Sequence, residues 1–339
     1  MMKHQVPLYL FGTPGPVGGA STKILDLLPL LSRNFDVKLV LGPRELRHKP
    51  LIQYLTANSY NFLSRAKFPR KAYGIALAIC ELDFFSSGQA QRVKDAGLKL
   101  VWSNEMMWPF AGESDAVRCG LVDHVLFLST IQQDAFREMY RGVKQSIVGN
   151  YIAPDSFPFI DRHNAPDFSI GRLSRPDPVK YPCNFPLFYE EIGLPHWRFR
   201  VQAWSRELAR MFSWHKFDNR WEFYFTNQLP SRVFLSRVDL FVYPLGHSFI
   251  ESWGRVVGEA MLTGSIPLVP SGHGFERIVV SGVSGYICNC FDEFKALARE
   301  LESDSKKRHN MALKAHEHAR YNLFDQTKHE QLWVQVLSV

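Results

Sequence analysis

A chain of 339 residues, 46% of them apolar, can fill two hydrophobic cores and is long for one. Its 40 basic and 33 acidic residues leave a net charge of +7, which suits an anionic partner (a nucleotide, a membrane surface or nucleic acid) without choosing among them. The five cysteines, at 80, 119, 183, 288 and 290, form neither a disulfide framework nor a zinc-spaced set, and no apolar run approaches the roughly 20 residues of a membrane span.

Those counts predict reduced thiols and a cytoplasmic chain, at most peripheral at the inner face of a membrane. Met1 to Phe11 has no signal-peptide pattern. Val6 to Phe11 reads as a first strand, followed by a tight turn from Gly12 to Gly19 and a helix from Ala20. Further apolar runs at Asp36–Leu41, Ile75–Leu82, Leu98–Trp102, His124–Leu128 and Ser146–Tyr151 alternate with helical patterns such as Ser86–Ala96 and Ile131–Tyr140. Alternation of this kind predicts a parallel, doubly wound sheet. Residues 1–151 are expected to form the first domain and 152–167, rich in Pro, Asp and Asn, a linker. A second α/β domain is expected over 168–320. The aromatic-rich stretch 183–225, with Trp197, Trp204 and Trp214 at helical spacing, is expected to be core. Residues 321–339 are expected to form a last helix.

The most informative segment runs from Val238 to Gly272. A buried strand at Leu240–Tyr243 leads through a loop to Glu251, a helix starts near Ser252–Gly254, and Glu259 lies about two turns along it. A second apolar strand follows at Ile266–Val269. Ligands of open α/β sheets collect at the carboxyl ends of the strands. The unpaired N–H groups at a helix start suit a phosphate. Two carboxylates flanking that point repel phosphate but accept hydrogen bonds from hydroxyls. A phosphate between two hydroxyl-bearing groups describes a nucleotide sugar. The alternative is two solvated glutamates on an ordinary helix.

The run E-S-W-G-R-V-V-G-E-A-M-L-T-G-S-I-P-L-V from Glu251 resembles the E-x7-E signature of the retaining glycosyltransferases of family four. The resemblance implies a GT-B fold, two Rossmann-like domains facing a central cleft, with the last helix packed back on the first domain. It implies that Glu251 contacts the donor sugar and Glu259 the nucleotide ribose. Ser252, Trp253, Gly254 and Arg255 at the helix start, and His247 in the loop before it, are counted with the donor site. His273, between two glycines in the turn after the next strand, is placed near the cleft. Arg172 and Lys180, in G-R-L-S-R-P-D-P-V-K, match the cations that grip the donor diphosphate, with Arg175 a third candidate. Fixed cations suit that place because negative charge builds on the departing diphosphate. Gly18 and Gly19 stand in register with the family's first-domain glycine loop. On the acceptor side the family often carries a histidine, where this chain has Asn104 and Glu105.

The chain contains no D-x-D pair to hold a metal on a diphosphate, so neither a metal nor a cofactor is expected. The co-substrate implied is a UDP- or GDP-sugar. The acceptor hydroxyl could belong to a glycan, a lipid, a small molecule or a modified DNA base, and the charge permits an anionic one. The transferred group is expected to be a hexose. No obligate protein partner is evident. A sugar-nucleotide epimerase and a non-catalytic carbohydrate- or nucleic-acid-binding protein remain as alternatives.

Overall fold

A computed structural model describes residues 5–15, 18–162 and 165–338. Pro16 and Val17 of the expected glycine turn, and His163 and Asn164 of the expected linker, lie outside the described residues. The chain forms two compact units. One draws on the chain up to Tyr151 and on the segment from Gln326 onward, and the other is Ile152–Asp325.

The sheet of the first unit comprises β1 (Val6–Phe11), β2 (Phe35–Leu41), β3 (Asn61–Ser64), β4 (Ile75–Ile79), β5 (Lys99–Ser103), β6 (His124–Phe127) and β7 (Lys144–Ile147). These run parallel in the order β3-β2-β1-β4-β5-β6-β7. Strands of a parallel sheet are covered on both faces and so read as continuous apolar runs. All five residues of β4, Ile-Ala-Leu-Ala-Ile, are buried. One face packs on the helix Gly19–Leu31 through Ile24, Leu27 and Leu28, joined by Trp333, Val336 and Leu337 of the last helix, Gln326–Leu337. The other face packs on Phe84, Phe110, Phe136 and Tyr140.

The second unit repeats the plan with β8 (Ser169–Leu173), β9 (Arg198–Trp204), β10 (Trp221–Phe225), β11 (Leu240–Val242), β12 (Ile266–Pro270) and β13 (Tyr286–Cys288), in the order β10-β9-β8-β11-β12-β13. In both sheets the order reverses between the first strand and the fourth. That reversal opens a crevice between their carboxyl ends. It falls between β1 and β4 in one unit and between β8 and β11 in the other.

The aromatic-rich stretch is core at Trp197 and Trp204, as expected, but through a strand rather than a helix: Trp204 ends strand β9, whose Phe199 and Val201 point into the core. The expectation fails at Trp214, which is 55% exposed. The described part of the expected linker 152–167 is tied into the second unit. Ile160 N–H donates to Thr263 O at 3.1 Å, and Arg162 pairs with Asp239 at 3.1 Å. No helix among the described residues is long and apolar enough to cross a membrane.

Candidate donor site in the second unit

β8 and β11 are adjacent parallel strands, so the loops that follow them emerge side by side. After β8, the Asp177 carboxylate accepts from Val179 N–H at 3.2 Å and shapes a short turn, Pro178–Lys180. After β11, the chain crosses that turn at Gly246, whose N–H donates to Lys180 O at 3.2 Å. A Cβ at Gly246 would lie 2.1 Å from Val179 O, so the crossing requires glycine.

This crossing brings two of the expected site residues together. Lys180 Nζ donates to Glu251 Oε2 at 2.8 Å, with the lysine and glutamate side chains 8% and 14% exposed. The same carboxylate oxygen accepts from Tyr243 OH at 3.2 Å. Burial, reinforced by the Glu251 charge, pushes the Tyr243 phenol up, so it stays protonated and donates. The Lys180 ammonium also lies 4.5 Å from the Phe249 ring centre.

The backbone of Glu251 is pinned by the turn after β12. Its N–H donates to His273 Nδ1 at 3.2 Å, and its carbonyl accepts from Gly274 N–H at 2.9 Å. Burial lowers the His273 pKa, partly offset by Glu251, which keeps the ring neutral with Nδ1 as acceptor. A Cβ at Gly274 would meet Ser252 O at 2.0 Å.

The helix Arg255–Thr263 begins beyond Gly254, which takes a left-handed φ of 81° and packs against Phe275. Arg255 Nε donates to Glu259 Oε1 at 2.9 Å, one turn along the same face. Ser252 and Trp253 are buried, and the indole lies edge-on to Phe324 with ring centres 6.0 Å apart. His247 is exposed. It lines a cavity of about 590 Å³ with Pro244, Leu245, Ser271, Asn289 and Phe291, which does not include Lys180, Glu251 or Glu259.

Arg172 takes a different place from the one expected. Its side chain is fully buried, donating to Pro244 O and, at 2.6 Å, to Lys180 O. Its guanidinium lies 3.8 Å from the Tyr181 ring centre and 4.7 Å from that of Tyr243. It braces the two loops from beneath, because it stands within β8 rather than beyond its end. Arg175 stands beyond the strand end, is exposed, and lines a recess of about 330 Å³ with Asp177 and Glu207.

The remaining expected residues lie in the first unit. Gly18, with φ 88°, precedes the helix that Gly19 begins. Asn104 has no exposed surface. Its Nδ2 donates to Trp108 O at 3.2 Å and to Glu113, and its Oδ1 accepts from Met106 N–H at 2.7 Å. Glu113, also sealed, accepts from Trp102 Nε1 at 2.7 Å, Phe110 N–H at 2.6 Å and Tyr140 OH. Glu105 pairs with Lys23 at 2.8 Å and accepts from Ser103 Oγ at 2.7 Å. Both expected acceptor-side residues are therefore braces of the loop after β5. Sequence reading missed Lys23 as the partner of Glu105. Its signal is a lysine beside Ile24, Leu27 and Leu28 on an otherwise apolar helix face.

Residues 201–318 match the family model described as glycosyl transferases group 1. No curated protein matches the chain. Among solved structures the chain is similar to Anabaena HepE in complex with UDP-glucose, at 18% identity and a TM-score of 0.76 over 98% of this chain and 100% of that one. It is also similar to the sucrose-phosphate synthase of Thermosynechococcus elongatus, at 14% identity and a TM-score of 0.73 over 98% of each chain. A TarM variant from S. aureus, in complex with fondaparinux, α-GlcNAc-glycerol and UDP, gives 8% identity and a TM-score of 0.78 over 99% and 100%. With the two parallel sheets, these likenesses make the fold GT-B, built of two Rossmann-like units.

Proposed function

We propose that the protein is a retaining, nucleotide-sugar-dependent glycosyltransferase, with its donor site on the second unit. The observation that carries the reading is Glu251. It sits at the crevice of the second sheet, held by Lys180, Tyr243 and His273, four residues before the helix Arg255–Thr263 that carries Glu259. The family match over 201–318 and the UDP and UDP-glucose held by the HepE structures support a UDP-sugar as the donor to test first.

In this reading the diphosphate lies at the N–H groups that open the helix Arg255–Thr263. Lys180 Nζ has three protons and spends one on Glu251, which leaves donors for a phosphate oxygen. Arg175 supplies a second cation from the loop, and Arg172 positions both loops. Glu259, oriented by Arg255, accepts from the ribose hydroxyls, and Glu251 accepts from a hydroxyl of the sugar. The sugar–phosphate bond breaks as Lys180 and the helix N–H groups stabilise the charge on the leaving nucleotide diphosphate. The acceptor oxygen bonds to the anomeric carbon on the same face, and its proton passes to a phosphate oxygen of the leaving group. Cysteine spacings that make no disulfide framework support a reducing compartment, the cytoplasm.

Thermal unfolding with UDP, GDP and their sugars tests the donor site, because a ligand of the folded state raises the melting temperature. UDP or a UDP-sugar is expected to stabilise the wild type and to lose that effect in Glu259→Ala. A wild type that none of these compounds shifts overturns the reading.

A further inference from the structure

The crevice of the first sheet, between β1 and β4, carries a side-chain cluster that the donor chemistry does not use. Thr13 follows β1, Glu45 follows β2, Arg65 follows β3, and Glu81 and Asp83 follow β4. These strands are neighbours, so the five residues share one carboxyl edge. Arg65 pairs with Glu81, and its Nη1 donates to Asp83 at 3.1 Å. Thr13 Oγ1 donates to Glu45 Oε1 at 3.2 Å. Gly42 lets Glu45 and Arg65 approach: a Cβ there would meet Glu45 Oε2 at 2.6 Å and Arg65 Cζ at 3.6 Å.

We propose that this cluster is a carbohydrate site, in which Glu81 and Arg65 together bind one hydroxyl of the sugar that receives the transferred group. It takes the first unit as the acceptor's side and so rests on the transferase reading. The Glu81 side chain is 8% exposed. Its Oε2 and Arg65 Nε are buried and lack hydrogen-bond partners. A buried acceptor and a buried donor left unmatched in one ion pair call for a group that both donates and accepts. A hydroxyl does so. A carboxylate or a fully ionised phosphate ester cannot donate to Glu81, and an ammonium cannot accept from Arg65. Three carboxylates around one guanidinium also disfavour an anion, whatever the net charge of the chain. The Arg65–Asp83 contact, with Asp83 59% exposed, is the part that swings to admit the ring.

Two further features fit a sugar. Leu82, 71% exposed, and Trp108, 47% exposed, follow the adjacent strands β4 and β5 and offer apolar surface to the C–H face of a pyranose. Burial raises the Glu81 pKa against the opposing pull of Arg65, so hydrogen bonds donated to this carboxyl are worth more than at the surface. The cluster also stands where Lys180 and Glu251 stand in the second sheet, at the point of strand-order reversal.

Saturation-transfer NMR on the full chain tests the proposal. The probes are the methyl glycosides of glucose, galactose, mannose and N-acetylglucosamine, with glucose 6-phosphate and inorganic phosphate alongside. At least one neutral glycoside is expected to respond, with affinity about tenfold or more weaker in Glu81→Gln and in Arg65→Met. Should Glu81→Gln not fold, Glu45→Gln and Thr13→Ala, at less buried positions, are expected to weaken the same response. The melting shift with UDP is measured on every variant and is expected to persist. No response from any neutral glycoside, an equal response in all variants, or a response to the phosphates alone overturns the proposal. If UDP fails to shift the wild type while a glycoside responds as expected, the donor reading falls, and the cluster stands as a carbohydrate site but not as an acceptor site.

Discussion

Each unit places a lysine–glutamate pair at the mouth of its sheet, with the same separation of 2.8 Å. In the first unit, Lys23 and Glu105 are 0% and 5% exposed. The ammonium also donates to Gly149 O at 3.3 Å and lies 5.7 Å from the centre of the Trp333 ring, so protein surrounds the pair. In the second unit, Lys180 and Glu251 are 8% and 14% exposed, beside a helix start and two loops. Residue type and distance do not separate a brace from the binding group proposed at Lys180 and Glu251. What separates them is whether another molecule can compete for the lysine's protons.

The sharpest test of that contrast is Lys23→Met. It removes the ammonium that faces the buried Glu105 carboxylate, and should cost about 3–5 kcal/mol of unfolding free energy in a urea titration. Adding Glu105→Gln should restore much of the loss. A small cost for the single change would mean that water reaches the pair, and the comparison would fail.

Lys180→Ala should act the other way. Its expected cost is a loss of about 10²–10³ in sugar-nucleotide turnover, read from steady-state release of the nucleotide diphosphate, with a melting temperature close to the wild type. A strongly destabilised Lys180→Ala with normal turnover would make this pair a brace as well.

Gly274→Ala is smaller in both respects. The added methyl must displace the Ser252 carbonyl, at about 1–3 kcal/mol, and shift Glu251 with it. Turnover should fall more than the melting temperature suggests.

The smallest effect is on pH dependence and appears in both units. Burial lowers the pKa of His124 in the first unit and of His273 in the second. The unfolded chain therefore binds protons on these rings at a higher pH than the folded one. The stability they contribute is complete above the unfolded pKa of about 6.5 and is lost as pH falls from there towards the folded values. His273→Asn should flatten the acid limb of a plot of unfolding free energy against pH.

Much of the fold is legible because buried parallel strands are uninterrupted apolar runs, as in β1, β4, β11 and β12. β3 was hidden because Asn61–Ser64 is a short edge strand, covered only in part. β9 was hidden because Trp197 and Trp204 suggest a helical period, while Arg198, Arg200 and Gln202 alternate with Phe199, Val201 and Ala203 at the period of a strand. At the site, Glu251 could be singled out as a carboxylate beyond a buried strand, and Lys180 through the resemblance of G-R-L-S-R-P-D-P-V-K to the family's pattern. The sealing of Arg172 could not be foreseen, because it depends on the Pro244 and Lys180 carbonyls and on two tyrosine rings brought in by folding. Lys23 was overlooked because its partner lies 82 positions away.

The last helix has a consequence for synthesis. His124 Nδ1 is bonded to Val336 O at 3.0 Å, and Trp333 and Leu337 are part of the core that begins with Leu8. A ribosome releases the strands of the first unit early and its closing helix only after Ile152–Asp325 has been made. At about 5–20 residues per second, that interval lasts on the order of ten seconds or more. Through it, Lys23 stays without its indole and an apolar face stays uncovered. Of the two units, the one translated first is completed last, and it is the one with the greater need of a chaperone while the chain grows.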